Sequence, residues 1–98
     1  MKSYFTTTVM PPAKRNFLDI LAFAETDEDE DAINFAMEKA HQLIQSDAAN
    51  VGEPLYDLKQ MKMRVCRILV AQLYVEYGFN FSKPIAFIRR VVLLRKPS

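Results

Sequence analysis

From Gln72 to Phe79 the chain alternates, with Leu73, Val75, Tyr77 and Phe79 set against Gln72, Tyr74, Glu76 and Gly78. A period of two is the mark of a strand with one face buried and one face open. Such a strand needs hydrogen-bonding neighbours, because its backbone N–H and C=O groups must be paired once it is buried. The neighbours are close in sequence. Residues 62–71, "KMRVCRILVA", form one apolar run of strand length, and residues 85–94, "IAFIRRVVLL", form another. The run over 85–94 is apolar on both parities, which predicts burial on both faces and a central position in the sheet. "NFSKP" reads as the turn before it. No Gly, Pro or Asn separates Ala71 from Leu73, so residues 62–79 read either as two strands or as one bent strand.

The first half of the chain has a different period. "KSYFTTTV" is rich in aromatic and β-branched residues and predicts a strand. "MPP" ends it, and Pro12 suits a helix start, where its missing N–H costs nothing. Ala13, Phe17, Ile20, Leu21 and Ala24 then recur at helical spacing. A further helix is read over "DAINFAMEKAHQLIQS", with Ala32, Ala36, Ala40, Leu43 and Ile44 as its stripe, widened by Ile33 and Met37. The acidic run "ETDEDED", residues 25–31, precedes it. Acids there satisfy free N–H groups and oppose the positive end of the helix dipole. The run lacks the Gly and distal Glu of a calcium loop. Gly52 and Pro54 read as stop signals.

The expected architecture is a single α+β domain over residues 1–98: a strand, two amphipathic helices, then a three-stranded antiparallel sheet, in the order β-α-α-β-β-β. Half of the 98 residues are apolar, enough for a real core. One cysteine, Cys66, precludes an internal disulfide and reads as a small buried hydrophobe. His41 has no partner acid, Cys or second His and reads as packing or surface. The chain has two glycines, so there is no glycine-rich phosphate loop, and no nucleophile motif or metal-ligand spacing appears. No cofactor and no metal are expected. No secretory leader opens the chain and no apolar run nears the roughly 20 residues that span a bilayer. These features predict a cytoplasmic protein with no membrane partner.

Charge is the other informative feature. The net charge is only +1, yet residues 59–96 carry Lys59, Lys62, Arg64, Arg67, Lys83, Arg89, Arg90, Arg95 and Lys96 against one acid, Glu76. A basic sheet interleaved with aromatic residues suits RNA, where cations hold phosphate and aromatic faces stack bases. Alternation puts Arg64 on the parity of Lys62, Cys66 and Ile68, and Arg67 on that of Val65 and Leu69. A β-bulge would be needed to bring the two to one face.

Several short features, in order, resemble the RelE/ParE toxin superfamily of bacterial toxin–antitoxin systems. "YFTTTVMPPAKRNFLDILAFAE" resembles its opening strand and the helix that follows. "DEDEDAINFAMEKAHQLI" resembles its second helix. "VGEPLYDLK" resembles a G-x-P-L-x-x-L approach to the sheet, here Gly52, Pro54, Leu55 and Leu58. "MRVCRILV" resembles an R-V-x-x-x-R-I strand with two residues fewer, and "LYVEYGF" a tyrosine-bearing strand. The resemblance spans nearly the whole chain.

That resemblance implies a toxin neutralised by a cognate antitoxin protein, as in plasmid-stabilisation systems. It implies either mRNA cleavage on the ribosome or poisoning of DNA gyrase. Matched to the RNA-cutting branch, Arg64, Arg67 and Tyr77 are the catalytic candidates, with Tyr77 as proton-transfer group. Arg89, Arg90, Arg95, Lys96 and Lys62 are the nucleic-acid-binding candidates. The chain departs from that branch in its low net charge and in "LLRKPS", which has no histidine or tyrosine after the last strand, so the endoribonuclease set is incomplete. Two other readings stand beside it. One is a non-catalytic protein-interaction module, which predicts dispersed arginines and an exposed apolar patch. The other is a nucleic-acid binder without catalysis. The oligomeric state is left open, a homo-oligomer included.

Overall fold

In the computed structural model, which describes residues 4–94, five strands and two helices are laid out in a new order relative to the sequence. The elements are β1 (Thr6–Val9), α1 (Pro11–Ala22), α2 (Asp27–Val51), β2 (Glu53–Leu58), β3 (Met63–Val70), β4 (Leu73–Asn80) and β5 (Ile85–Leu93). The sheet order is β1-β5-β4-β3-β2. β2 to β5 pair antiparallel, while β1 returns to lie parallel to β5, with Thr6 against Ile85. The α+β class is as expected; the strand count is higher. "EPLYDL" is a strand in its own right, and β4 rather than β5 is the middle strand of the five.

β3 and β4 are two strands, not one bent strand. Val70 pairs with Leu73, so Ala71 and Gln72 alone form the turn. Ala71 takes a left-handed conformation (φ 53°) there, which tight hairpins ordinarily give to Gly or Asn. An L-residue in that region costs roughly 1–2 kcal/mol. Ala71→Gly is therefore expected to raise stability by about 0.5–1 kcal/mol after the entropy of a freer unfolded chain is subtracted. The denaturant midpoint reads this directly, and a lowered midpoint would show that the turn relies on the methyl group.

Helix α1 starts with Pro11 and Pro12 in its first turn. Helix α2 starts inside the acidic run rather than after it: Asp27, Glu28, Asp29 and Glu30 form its first turn, and the Thr26 side chain accepts from the Asp29 N–H at 3.1 Å. It also runs further than expected, through a non-helical Asp47 to Val51. Both helices cover one face of the sheet. The core between them holds Ala13 of α1, Ala36, Met37, Ala40, Ile44 and Ala48 of α2, and Cys66, Ile68, Leu73, Val75, Tyr77, Phe79, Ala86, Ile88 and Val91 of the sheet. Small alanines on both helices let the backbones come close to the strands. Among the described residues, the other face of the sheet carries no helix, and no helix is long and apolar enough to cross a membrane.

Candidate functional site

Strand parity decides which side chains reach the open face. Cys66 and Ile68 of β3 face the helices, so Arg64 shares their side and Arg67 faces away. β3 pairs with β4 residue by residue without a bulge, and the two arginines stay on opposite faces. Each is tied to the neighbouring strand. Arg64 donates to Asp57 through Nε at 2.7 Å and Nη2 at 3.3 Å, a two-point contact. The Arg64 guanidinium lowers the Asp57 carboxyl below its usual range, chiefly through that hydrogen bond. Arg64 also lies 5.2 Å from the centre of the Phe81 ring, at the end of a row in which Phe5, Phe79 and Phe81 meet edge to face. Arg67 donates to one carboxylate oxygen of Glu53 at 3.1 and 3.2 Å. The two arginines pin the edge strand β2 to the sheet, one from each side.

Tyr77 does not join them. It is fully buried on the helix side, where its hydroxyl donates to the Ala48 carbonyl at 2.6 Å. Burial pushes its phenol above the ordinary tyrosine range, and burial likewise raises the neighbouring Cys66 thiol. The phenol is held protonated, out of reach of solvent, against the end of α2. Arg64, Arg67 and Tyr77 thus do not converge on one surface.

The last strand behaves differently. Glu76 pairs with Arg90 and Tyr77 with Ile88, so Arg89 is the extra residue of a β-bulge. Strict alternation would have sent Arg89 and Arg90 to opposite faces. Val91 returns to the core opposite Val75, as does Ile88 opposite Tyr77, and the residues between them are left on the open side. The bulge therefore turns two consecutive arginines the same way. Among the described residues the ion pairs are Arg64–Asp57 and Arg67–Glu53, and neither Arg89 nor Arg90 has a carboxylate within salt-bridge reach.

Arg89 has a neutral partner instead. Its Nη1 donates to the Tyr56 hydroxyl at 3.2 Å. Tyr56 comes from β2 and Arg89 from β5, so the two reach over β3 and β4 to meet above Val65 and Gly78. Gly78 is what leaves room. A Cβ there would come within 2.9 Å of the Met63 methyl and 3.9 Å of the Arg89 Cδ. The result is a shallow trough with an arginine stem along its floor, a half-exposed tyrosine on one wall and Arg90 beside it. Such a surface can hold a phosphate between two guanidinium groups and stack a base on a ring.

The other nucleic-acid-binding candidates fall elsewhere. Lys62 sits just before β3 in a left-handed turn (φ 53°), where its carbonyl accepts from the Phe81 N–H at 2.8 Å. It is at the end of the sheet, not in the trough. Arg95 and Lys96 lie outside the described residues. Tyr56 was not among the sequence candidates. Its signal was present in "EPLYDL", a segment read as an approach to the sheet rather than as part of it.

No protein-family model and no curated protein matches the chain. Solved structures do. The chain superimposes on a chain of the RelBE2 toxin–antitoxin complex from Mycobacterium tuberculosis with a TM-score of 0.66 and 15% identity, over 95% of this chain and 93% of that one. It superimposes equally well, TM-score 0.66 at 12% identity, on a chain of the chromosomal ParDE toxin–antitoxin system from P. aeruginosa, over 95% of this chain and 99% of that one. The fold is RelE/ParE-like.

Proposed function

We propose that this chain is the toxin component of a bacterial type II toxin–antitoxin system, held inactive by a cognate antitoxin and acting on ribosome-bound mRNA or on DNA gyrase through its open sheet face. The observation that carries the reading is the pair Arg89–Arg90 on that face, set by a bulge beside Tyr56 and outside the ion pairs of the described residues, with Glu76 across from Arg90, on a RelE/ParE-like fold. Arg67 lies on the same face two strands away and would extend the basic surface once released from Glu53. Arg64, on the helix side, supports the face from behind by fixing β2. With Tyr77 buried, Tyr56 is the phenol placed to meet a substrate, 3.2 Å from the Arg89 guanidinium. That hydrogen bond fixes where the hydroxyl points on the open face.

Growth on induction in bacteria tests this. The wild-type chain is expected to arrest growth. Arg89→Ala/Arg90→Ala should release the arrest, while Lys14→Ala/Lys39→Ala, which removes two exposed helix charges, should not. Circular dichroism on all three confirms folding. Primer extension on cellular mRNA and a gyrase supercoiling assay then separate the two targets: new mRNA ends indicate the first, lost supercoiling the second. Arrest that persists in the folded Arg89/Arg90 variant would remove the trough from the mechanism.

The interaction-module reading keeps one observation in its favour. Two of the four sheet arginines are dispersed to opposite faces and occupied by β2 carboxylates, as a merely structural role requires. Normal growth at full expression of a folded wild-type chain would favour that reading.

A further inference from the structure

One row of charge crosses four strands of the open face. Glu53 of β2 pairs with Arg67 of β3, Arg67 with Glu76 of β4, and Glu76 with Arg90 of β5. Opposite charges set side by side in a sheet ordinarily pair off. Here Arg67 turns to Glu53, 3.1 Å away, and among the described residues Glu76 makes no ion pair. The arginine side chains donate to Asp57, Glu53 and Tyr56, and none donates to Glu76. Glu76 is half-buried, yet no buried side-chain oxygen among the described residues lacks a hydrogen bond. Its carboxylate therefore opens to solvent in the middle of an arginine-rich face. An acid there weakens the face as a pure phosphate site and suits a ligand that brings hydrogen-bond donors as well as phosphates. Two residues earlier on the same strand, and on the same face, stands the half-buried ring of Tyr74. Beside that ring is a hollow of about 440 Å³, lined also by Arg67 and by the exposed Leu69 and Leu94.

We propose that Tyr74 and Glu76 form a base-reading subsite that selects, in a single-stranded RNA, a base bearing an exocyclic amino group (adenine, cytosine or guanine) over uracil. The ring and its leucine neighbours take the face of the base, since aromatic stacking serves every base alike. Selection falls to the carboxylate. Residues two apart on a strand are about 7 Å apart, so a base laid on Tyr74 brings its polar edge to Glu76. An ionised carboxylate only accepts hydrogen bonds. An amino group on that edge donates to it, whereas uracil offers two carbonyls around a single N–H and sets acceptor against acceptor. A polar site that loses its partner rejects the wrong ligand more strongly than an apolar one does, because its own group is left unpaired. Arg90, directly across from Glu76, is placed for the phosphate of the same nucleotide, and Arg89 for the next one in the trough. In naming RNA the inference rests on the mRNA arm of the toxin reading; the placement of the ring and the carboxylate does not.

The test uses the full chain and fluorescently labelled pentaribonucleotides, all uridine except for adenine, cytosine, guanine or uracil at the centre. Binding is read by anisotropy at low salt, and circular dichroism confirms that each variant folds. The wild type is expected to bind the three amino-bearing strands about tenfold more tightly than the all-uridine strand. Glu76→Gln keeps the size of the side chain but adds a donor, and should bring the four affinities within about twofold of one another, with the all-uridine strand bound more tightly than before. Tyr74→Ala should weaken the amino-bearing strands about tenfold through lost stacking. Equal binding of the four strands by the wild type, an unchanged preference in the folded Glu76→Gln variant, or no binding of any strand would overturn the inference. So would a uniform tightening of all four by Glu76→Gln, which would make Glu76 a brake on phosphate binding and not a reader of bases. Tighter binding of the matching deoxyribonucleotides would overturn the assignment to RNA. The growth assay reports separately: arrest without base preference retains the toxin reading without this subsite, and base preference without arrest retains the subsite alone.

Discussion

Truncating Tyr77 to alanine is expected to lower the stability of the fold by about 3–5 kcal/mol, the usual cost of emptying a large aromatic from a packed interior. Total stability of a domain is about 5–15 kcal/mol, and a chain this short belongs toward the low end. Tyr77 heads the fully buried side chains by volume and sits between α2 and the middle strand. Denaturant unfolding followed by circular dichroism gives the number. Tyr77→Phe keeps the ring and deletes the hydrogen bond to the Ala48 carbonyl, and should cost about 1–2 kcal/mol. The phenylalanine variant also has a pH signature. Burial raises the folded pKa of the phenol, while the unfolded tyrosine ionises near 10. The neutral phenol thus favours the folded state, and that contribution is complete below about pH 10 and is lost as pH rises toward the folded value. The stability gap between wild type and Tyr77→Phe should therefore shrink above about pH 10. A gap that stays constant there would show that the phenol is not sequestered as described.

Gly52→Ala is the second large effect, and it acts on the same contact from the other side. A Cβ on Gly52 overlaps the Tyr77 hydroxyl and comes within 2.8 and 2.9 Å of two ring carbons. The backbone there is ordinary extended chain (φ −107°, ψ 160°), so the glycine is required by space and not by torsion. The Tyr77 ring is packed on all sides and its hydroxyl is engaged, so it cannot swing away cheaply. Overpacking of this kind costs about 1–3 kcal/mol. The same substitution in a Tyr77→Phe background should cost less, because the worst overlap is with the hydroxyl oxygen. Additive losses in the double-mutant cycle would place the clash elsewhere.

These two residues also show where sequence reasoning reached and where it stopped. The alternation of residues 72–79 already put Tyr77 with Leu73, Val75 and Phe79 on the buried face. The resemblance to the RNA-cutting branch pulled Tyr77 toward a catalytic role, and the local period was the better guide. Alternation likewise separated Arg64 from Arg67. It failed at Arg89 and Arg90, because a bulge is a property of two strands in register and leaves no mark in one of them. β2 was missed for a related reason. An edge strand holding Pro54 and a register shift, with nearly every residue exposed, has neither an apolar run nor a clean period. Its partners Asp57 and Glu53 for the two β3 arginines were consequently invisible. The Ala71–Gln72 turn has none of the residues that announce a hairpin, so a strained alanine conceals it.

The pairing of β1 with β5 has a consequence for how the chain comes into being. Thr6 is among the first residues made and must wait for Ile85 before its strand has a neighbour. α2 gains its first strands when β3 and β4 are made, but α1 packs on β5 and waits as long as β1 does. Pairings this distant along the chain also make for slow, cooperative closure. The trough needs β2, β4 and β5 at once, and so the surface proposed to act on the cell's machinery cannot exist on a partly synthesised chain. Time is thereby built into the topology: the bulge and the surface it shapes form only once β5 has been made and has found both of its neighbours.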